Sequence, residues 1–510
     1  MPKVAVSSLT KITARMRGLS RLRYRSFPSE YDVLVIGAGL GGLATAVLLA
    51  RMGYRILVLE KNEFVGGYAS QVTYDGIGFD FGAQDITILG KEGMRIVRRL
   101  GIQDQLQPLH PHAVSIYPEH HFVWDSGSTK ATRDYLLKHF PDESDALRHF
   151  FGEMNTIYRE MDRYLTPRNF QPKLRAFPRL ARYREFTAER FLREFFSDDI
   201  LISLLSSYCL FYQGLPMQTL SALHFIGLLQ SYFDTGAFYA KGGVGSLSQS
   251  MHRSLENLGV RFELNTPVNG IMIAMGRVSG ASFDDGHSVG SNAVVSNIDP
   301  RVLRPLVPKP QDALIQTDPQ PRVNHLSRCQ LFAVLDNDAL ELPFVTFYAT
   351  TYDKAEEYQA FVRGKPASMR IFCPPGGTRT LSIAIPAGFD TWQNALNDGK
   401  LAYDEKKEAM KARILELLWC AYLQLKGKVR VLGLVTPVDL SNLSGNLGGS
   451  LYGADAIPEQ TGLRRTAIAS LLPGLFLTGQ WVAPGGSATL VLRGAALTAA
   501  AVDGYLRKMR

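Results

Sequence analysis

Cysteine is scarce in this sequence. Its 510 residues include four cysteines, Cys209, Cys329, Cys373 and Cys420, each more than forty residues from the next. This spacing excludes a Cys-x-x-Cys redox or zinc motif and a dense disulfide framework. We therefore expect reduced thiols, a cytoplasmic protein and no structural metal.

Long hydrophobic runs are also missing. Glycine, glutamine or histidine interrupts each candidate before it reaches the roughly 18 to 20 apolar residues needed to cross a bilayer. The N-terminal residues lack the gathered apolar core and the small-residue cleavage site of a secretory signal. The sequence therefore predicts neither a membrane span nor secretion.

The overall composition is that of a folded protein. Hydrophobic residues make up 46%, charged residues 20% and aromatic residues 10% of the chain. This balance buries enough apolar surface to offset the ordering of the chain. Because a typical domain has about 100 to 200 residues, the length favours more than one core.

Positive charge is concentrated in two segments. The formal net charge is +9, and residues 1–31 carry a net +6 while residues 158–186 carry a net +5. The rest of the chain is therefore close to neutral. These two segments are the candidates for contact with an anionic partner.

The first basic segment has the pattern of a short cationic amphipathic helix. Leu9, Ile12, Met16 and Leu19 fall on one side of a helical wheel. Such a helix binds a membrane surface by placing apolar side chains among the headgroups and its charges against anionic lipid. Because the segment is rich in arginine and serine and poor in acids, a solvated tail and an organelle transit peptide remain open.

The second basic segment interleaves basic and aromatic residues. This pattern suits a membrane face, with rings at the headgroup level and arginines on lipid phosphates. It equally suits a solvated helix pair whose aromatics are ordinary core residues. Single-stranded nucleic acid sites have a similar pattern, but the basic amphipathic head favours a membrane, and we expect no nucleic acid partner. The expected location is the cytoplasm, peripherally associated with a membrane.

A nucleotide-binding pattern follows the head. Residues 31–36 form a largely apolar run typical of a buried parallel strand, and 43–52 have helical composition, with a GxGxxG motif between them. A second strand pattern at 54–59 ends in Glu60. The context of strand, glycine motif, helix, strand and acid is far more specific than the glycine motif alone.

Each residue of this motif has a physical role. Gly37 permits a tight turn, Gly39 lets the backbone approach a pyrophosphate, and Gly42 lets helix and sheet pack closely. The helix N terminus offers unpaired N–H groups to the anion. Glu60 can accept hydrogen bonds from ribose hydroxyls and would repel a 2′-phosphate. The motif therefore predicts a dinucleotide site.

The rest of the chain divides into segments by pattern. Residues 64–90 read as a glycine-rich loop, 130–235 as mostly helical, 260–296 as strands, and 475–507 as a last strand and helix. We predict an α/β protein with a Rossmann-like nucleotide-binding domain built from discontinuous segments and an inserted α+β substrate domain. The predicted boundaries are a head at 1–30, nucleotide-binding segments at 31–110, 241–300 and 431–510, and substrate-domain segments at 111–240 and 301–430.

Three collinear segments resemble one class of flavoproteins. The glycine motif is followed by the pair Gly66-Gly67, the segment 239–245 leads a helix into Pro267-Val268, and the segment 473–486 precedes the last helix. They are similar to the FAD-binding segments of the class that includes amine oxidases, phytoene desaturases, carotenoid isomerases and retinol saturases. The resemblance spans residues 31–510 and implies an FAD-dependent oxidoreductase with a Rossmann-like FAD-binding domain.

The resemblance also implies which residues contact FAD. They belong to the first glycine motif, the end of the second strand, the second glycine pair, the middle segment and the C-terminal segment. They are Gly37, Gly39, Leu40, Gly41, Gly42, Glu60, Lys61, Gly66, Gly67, Tyr68, Ala69, Gly82, Ala83, Val268, Gly479, Gln480, Gly486, Ser487 and Ala488.

Departures within the class favour its polyene branch. Amine and porphyrinogen oxidases usually carry arginine directly after the second glycine pair, where this chain has Tyr68. The Phe-Asp-x-Gly turn of the isomerase and saturase branch is matched by residues 79–82. This implies desaturation, saturation or cis-trans isomerisation of a long apolar carotenoid or retinoid taken from a membrane. An amine or porphyrinogen oxidase and a non-catalytic lipid-carrying binder on the same scaffold remain alternatives.

The sequence shows no obvious catalytic constellation. A polyene needs none, because it offers no group that must be activated by a strong acid or base. Gln84, Asp85 and Lys241 are the polar candidates near the flavin, and the catalytic residues are otherwise unassigned. Without a second GxGxxG motif for a nicotinamide, we expect oxygen, a quinone or another carrier as the electron partner.

A tunnel for the substrate follows from this interpretation. It should be apolar and run from Gly82 and Ala83 at the flavin to a mouth beside residues 158–186, so that a membrane-dissolved substrate does not cross water. A substrate without ionic groups needs no charged side chain at the flavin end. Carboxylate-binding arginines or an aromatic cage there would instead suit a porphyrin or an amine.

The histidines do not form a metal-binding pattern. His110 and His112 flank a proline with no cysteine or acid close by in sequence as a third ligand. His120 and His121 point to opposite faces of a predicted strand. We expect surface or packing roles for them and no metal site.

Overall fold

The computed structural model describes most of the chain. The predicted head at 1–30 and the middle of the second basic segment, 167–173, lie outside the described residues, so the predicted amphipathic helix stays a prediction. The described residues are 31–166, 174–315, 323, 326–336, 341–377 and 379–509.

The described residues form nineteen strands and sixteen α-helices. The strands are β1 (Tyr31–Ile36), β2 (Ile56–Leu59), β3 (Gln71–Tyr74), β4 (Ile77–Asp80), β5 (Ile86–Thr87), β6 (Leu106–Leu109), β7 (Ala113–Ile116), β8 (His121–Trp124), β9 (Ala237–Ala240), β10 (Arg261–Glu263), β11 (Val268–Ala274), β12 (Arg277–Phe283), β13 (Ser288–Ser296), β14 (Ser327–Leu335), β15 (Val345–Ala349), β16 (Ser368–Phe372), β17 (Thr380–Ala387), β18 (Val429–Val435) and β19 (Leu475–Leu477). The helices are α1 (Leu40–Ala50), α2 (Gly90–Leu100), α3 (Lys130–His139), α4 (Ser144–Tyr164), α5 (Pro178–Tyr183), α6 (Ala188–Arg193), α7 (Asp199–Leu205), α8 (Tyr208–Gln213), α9 (Ala222–Asp234), α10 (Gly245–Asn257), α11 (Pro300–Leu303), α12 (Lys354–Val362), α13 (Phe389–Asn397), α14 (Lys400–Ala421), α15 (Pro437–Ser444) and α16 (Ala488–Arg507).

The first sheet is assembled from distant parts of the chain. Its order is β10-β2-β1-β13-β12-β11, and β19 also pairs with β13. The pairs among β10, β2, β1, β13 and β19 are parallel, whereas β11 and β12 return as antiparallel strands. Both faces of β1 and β2 are covered, which explains their nearly continuous apolar sequences.

Helix α1 makes the crossover from β1 to β2. It is buried along most of its length, including Leu43, Val47 and Leu48, and it contacts α10 and α16. A helix covered on several sides needs apolar residues all round and shows little amphipathic pattern. This places the start of α1 in the middle of the molecule.

The second sheet lies in the other half of the fold. Its order is β18-β14-β17-β16-β15-β7-β8, and all its pairs are antiparallel except β7 with β15. The aromatic-rich helical region between residues 130 and 235 shares one hydrophobic core with this sheet. A smaller sheet, β5-β9-β6, joins residues from both predicted domains.

The predicted fold class is confirmed, with two local corrections. Residues 64–90 are not all loop, because β3 and β4 form a hairpin whose turn, Asp75-Gly76, has φ of 50° and 78°, as two-residue hairpin turns require. The predicted boundary at 430 falls inside β18, which pairs with β14 and so belongs to the second sheet. The other domain boundaries stay predictions.

Candidate cofactor and substrate site

The glycine motif lies at the turn between β1 and α1. Gly37 has φ of 94°, which favours glycine. No side chain caps α1 at Gly39, so its first N–H groups are available to an anion. A Cβ atom on Gly42 would lie 2.1 Å from the Gly37 carbonyl oxygen, so this position requires glycine.

Three segments meet where the helix begins. A Cβ atom on Gly41 would lie 2.8 Å from Cα of Gly479 and 2.7 Å from Oδ1 of Asn297. Gly41 therefore leaves room for the backbone of the C-terminal segment to approach the first motif. Asn297 follows β13 and was not predicted, because a lone asparagine after a strand carries no distinctive sequence signal.

Glu60 is held at the end of β2 by backbone donors. Its Oε2 accepts a hydrogen bond of 2.7 Å from the Ala38 N–H, and its Oε1 accepts one of 3.0 Å from the Asn62 N–H. The side chain is buried. Each carboxylate oxygen keeps a further lone pair that can accept from a ribose hydroxyl.

The residues predicted to contact FAD surround one cavity. Every one of them except Gly42 lines this cavity, here called the cofactor cavity. Gly42 instead packs against the Gly37 turn, which is the packing role predicted for it. The uncapped helix, the cradle of glycines that a Cβ would fill, and the fixed acid fit the phosphates and ribose of FAD.

The three predicted catalytic candidates have different positions. Gln84 and Asp85 line the cofactor cavity. Lys241 does not, and its Nζ donates a hydrogen bond of 3.0 Å to the Asp104 carbonyl at the surface. The structure therefore gives Lys241 no role near the flavin.

Asp85 is the centre of a buried polar cluster. Its Oδ2 accepts hydrogen bonds from His112 Nε2 at 2.9 Å, Tyr212 OH at 2.6 Å and Tyr232 OH at 3.0 Å. Its Oδ1 accepts from Arg370. Burial opposes ionisation, but Arg370 and the bonds from His112 and Tyr212 outweigh it and hold the pKa of Asp85 well below its usual range. Asp85 is therefore a carboxylate.

His112 is a neutral member of this cluster. Burial lowers its pKa, although the hydrogen bond to Asp85 acts in the opposite direction. Because Asp85 is an acceptor, we assign the proton to Nε2, and Nδ1 then accepts from Tyr208 OH at 2.8 Å. His112 thus has a buried packing role and an acid partner, Asp85, that lies 27 positions away in sequence.

Two arginines line the same end of the cofactor cavity. Arg370 donates to Asp85 and, at 2.5 Å, to Gln84 Oε1. Arg328 donates to the carbonyl oxygens of Gly82 and, at 3.1 Å, of Phe81. Burial lowers the pKa of Arg328 to about 10. The only sequence signal for either residue is an arginine within an otherwise largely apolar strand.

Sheet register explains why both arginines reach this end. On β17, Ala384 pairs with Arg370 of β16 and Pro386 pairs with Arg328 of β14. Partners two residues apart lie on the same face of a sheet. Both arginines therefore line the cavity beside Gly82 and Ala83, although a substrate without ionic groups needs no charged side chain there.

A second cavity, here called the apolar chamber, adjoins the cofactor cavity. The two share Leu228, Ser487 and Thr489 in their walls. The wall also includes His224, whose pKa burial lowers to about 3. Several wall residues come from the second basic segment: Met161, Tyr164, Leu165, Leu174, Leu180 and Arg184.

The aromatic residues of the second basic segment are mostly core residues. Tyr158, Phe177, Tyr183 and Phe186 are buried. Arginines nearby are about half exposed and pair with glutamates, as Arg182 does with Glu194. This agrees with the alternative in which the aromatics are core residues, so a membrane interpretation depends on the basic side chains.

The described residues contain neither a membrane-spanning helix nor a cluster of metal ligands. None of their helices combines the length and the apolar character needed to cross a membrane. Within the same residues, no group of three or more histidine, cysteine, aspartate or glutamate side chains could hold a metal ion.

Known proteins resemble this chain in sequence and fold. Prolycopene isomerase 1 of an Oncidium hybrid cultivar is 28% identical over 52% of this chain and 48% of its own length, so the chain spans about half of that relative. The 4,4'-diapolycopene oxygenase of a Methylomonas species is 24% identical over 90% of this chain and 95% of its own. All-trans-retinol 13,14-reductase of Danio rerio is 25% identical, with coverage of 89% and 83%.

The fold comparison and the family match agree. The structure of cyclohexylamine oxidase from Brevibacterium oxydans has a TM-score of 0.59 at 15% identity, with 94% of this chain and 100% of that chain covered. The family described as flavin containing amine oxidoreductase matches residues 40–327, more than half of the sequence. The chain therefore belongs to the flavin-containing amine oxidoreductase family.

Proposed function

We propose that this enzyme desaturates, saturates or isomerises a long apolar polyene of the carotenoid or retinoid type. The observation that carries the proposal is the apolar chamber, whose wall is continuous with the cofactor cavity at Leu228 and Thr489. A chamber of this kind receives an extended hydrocarbon and excludes water. The relatives named for prolycopene, diapolycopene and retinol support the same substrate class.

Charge at the cavity disfavours an amine substrate. A protonated amine would face Arg328 and Arg370, and Asp85, the carboxylate beside them, is already bound to Arg370. Like charges in a buried site repel strongly. A porphyrinogen has carboxylates that arginines bind, so charge does not disfavour it, but the relatives named for prolycopene, diapolycopene and retinol favour a polyene. The amine and porphyrinogen alternatives are thus less well supported.

A non-catalytic binder on this scaffold is also less well supported. Such a protein has no use for a ribose-binding acid, yet Glu60 is buried and fixed by two backbone N–H groups. It would also tolerate side chains in the glycine cradle, whereas Gly41 and Gly42 are closed to a Cβ atom.

The protein contributes binding, orientation and exclusion of water. Bound FAD supplies the redox chemistry. The glycine motif and Glu60 hold the dinucleotide, and the apolar chamber aligns the chain of the substrate. Arg370 is fixed by Asp85 and Gln84, so the polar end of the cavity is rigid.

Membrane association and the electron partner belong to the same proposal. Exposed arginines beside the chamber, together with the basic head at 1–30, would attract the enzyme to an anionic membrane from the cytoplasmic side. Oxygen, a quinone or another carrier would exchange electrons with the flavin. Deleting residues 1–27 should weaken binding to phosphatidylserine vesicles, and added salt should weaken it for the intact chain. An intact chain that ignores such vesicles at low salt would contradict membrane association.

Blocking the junction of the two cavities tests the substrate route. Leu228→Trp should lower product formation from phytoene, a cis-lycopene or retinol by at least about tenfold, because the larger ring fills space that the polyene needs. Products are separated by chromatography after anaerobic incubation with oxidised or reduced enzyme. Leu471→Trp is the control, since Leu471 is 55% exposed and lines neither cavity. Equal loss in both variants, or none in either, would contradict the route.

A further inference from the structure

We propose that the polyene carries an oxygen function at the end that reaches the flavin, and that Gln84, Arg328 and Arg370 bind this oxygen. The inference rests on the proposed polyene function and narrows its substrate class. A carboxylate would be bound most strongly, and a hydroxyl or carbonyl oxygen less strongly.

Three buried donors at this end of the cofactor cavity lack acceptors. Gln84 Nε2, Arg328 Nε and Arg370 Nε have no hydrogen-bond partner within the described part of the chain. Their residues are 3%, 9% and 3% exposed, and all three line the cavity. A purely hydrocarbon end group would supply no acceptor at this end of the cavity. Arg465 Nε, away from the cavity, is unpaired as well, so the uncompensated charge of Arg328 carries the inference.

Positive charge exceeds negative charge at the same place. Arg370 is neutralised by Asp85, but the direct partners of Arg328 are the neutral carbonyl oxygens of Phe81 and Gly82. The guanidinium of Arg328 thus has no carboxylate on it among the described side chains. Its pKa, lowered by burial to about 10, agrees with a charge that lacks compensation. An anionic group or a strong hydrogen-bond acceptor from outside the chain would compensate the charge of Arg328.

The donors are held in place before any ligand arrives. Arg370 lies 5.2 Å from the ring centroid of Tyr212 and 5.5 Å from that of Phe372, and it is bonded to Asp85. Gln84 Oε1 accepts a hydrogen bond of 2.5 Å from Arg370, which leaves the amide N–H groups for another acceptor. Rigid donors of this kind recognise an oxygen without a large ordering cost.

The acceptor oxygen could come from the substrate or from the pyrimidine carbonyls of the flavin, because both are hydrogen-bond acceptors. These two sources predict different results. A substrate oxygen makes the enzyme discriminate between two ligands that differ only at one end. If the acceptor is a flavin oxygen, Arg328 is important for FAD affinity, and the enzyme does not discriminate between the two ligands.

The test uses two ligands of one shape. All-trans-retinoic acid and axerophthene, its hydrocarbon analogue with a methyl group in place of the carboxyl, are titrated into the FAD-bound enzyme, and the flavin absorbance change gives each Kd. Wild type should bind the acid at least about tenfold more tightly, the effect of a charge-assisted hydrogen bond. Arg328→Met should lose this preference, and Arg328→Lys, which keeps the charge and the fold, should retain most of it.

A matched control is available in Arg465. It is buried, has a pKa lowered to about 10, and holds the carbonyls of Tyr452 and Gln480, but it does not line the cavity. Arg465→Lys should keep the wild-type preference. Equal affinities in wild type, or a preference that survives Arg328→Met with weakened FAD binding, would overturn the inference. If neither ligand binds and a carotenoid also leaves the flavin absorbance unchanged, the proposed polyene function itself fails.

Discussion

Glu60 is the single side chain that most directly tests the dinucleotide site. Glu60→Gln keeps the size and one of the two backbone contacts, and it removes the charge that ribose hydroxyls bind. FAD affinity should fall by at least about tenfold, since hydrogen bonds to a charged acceptor are the stronger kind. The measurement is titration of the apoprotein with FAD, followed by flavin fluorescence.

Glu263 provides the control for Glu60. It ends the neighbouring parallel strand β10, opposite Leu59, is also buried, and lies outside the cofactor cavity. Glu263→Gln should leave FAD affinity unchanged. An equal loss in both variants would mean that the sheet edge, and not the ribose acid, sets the affinity.

His224 predicts a pH dependence of stability. Its pKa is lowered by burial from 6.5 to about 3, so its contribution is complete above pH 6.5 and is lost as the pH falls towards 3. Between pH 7 and pH 5 the wild type should lose roughly 2 kcal/mol of unfolding free energy that His224→Leu does not lose. Urea unfolding at the two pH values measures the difference. Leu228→Met, a change in the same chamber wall without a titrating group, should keep the wild-type pH dependence.

Local and distant residues differ in how well sequence predicts them. Gly37, Gly39 and Glu60 were predicted because their roles depend on neighbours within one strand-helix-strand unit. Arg370 was not, because its partner Asp85 is 285 positions away and the two meet only through the second sheet. The excess positive charge at the cavity comes from Arg328, which reaches this place only through the register of the second sheet, and no local pattern encodes that placement.

Helix α1 depends on close contact with the strand before it. Gly42→Ala would place a methyl group 2.1 Å from the Gly37 carbonyl oxygen, so the helix must move. The free energy of unfolding should fall by roughly 1 to 3 kcal/mol, the usual range for overpacking, and FAD should bind more weakly because the phosphate turn moves with the helix. Urea unfolding and FAD titration measure the two effects.

Gly152 in α4 is the matched helical glycine. No atom lies within 4 Å of a Cβ added there. Gly152→Ala should be neutral or stabilise by up to about 1 kcal/mol, because alanine has the higher helix propensity. A loss in this variant as large as that in Gly42→Ala would show that packing at the Gly37 turn is not the cause.

Strands were predictable from the sequence where a single residue pattern determines the structure. The predicted strand at 31–36 has the observed bounds, since a buried parallel strand is continuously apolar. The hairpin β3–β4 was missed although its Asp75-Gly76 turn is a recognised signal, because the surrounding glycines favoured a loop. The place of β18 in the second sheet depends on pairing with β14, a contact that the sequence pattern does not show.

The proposed function depends on both sheets, because each contributes residues to the cofactor cavity. The first sheet and α1 supply the FAD site, the second sheet supplies Arg328 and Arg370, and the helical region supplies the chamber wall. The chamber has part of its wall in the second basic segment, where the tunnel mouth was predicted. The proposed route of the substrate therefore runs from the second basic segment through the apolar chamber to the cofactor cavity.

Anaerobic stopped-flow spectroscopy of the purified, FAD-bound enzyme tests the polyene assignment most directly. Mixing with a carotenoid or retinoid should reduce the oxidised flavin, or reoxidise the reduced flavin, while primary amines and protoporphyrinogen leave its spectrum unchanged. A flavin that responds to an amine or to protoporphyrinogen, and to no carotenoid or retinoid in either redox state, would contradict the polyene assignment and leave the fold and the FAD site intact.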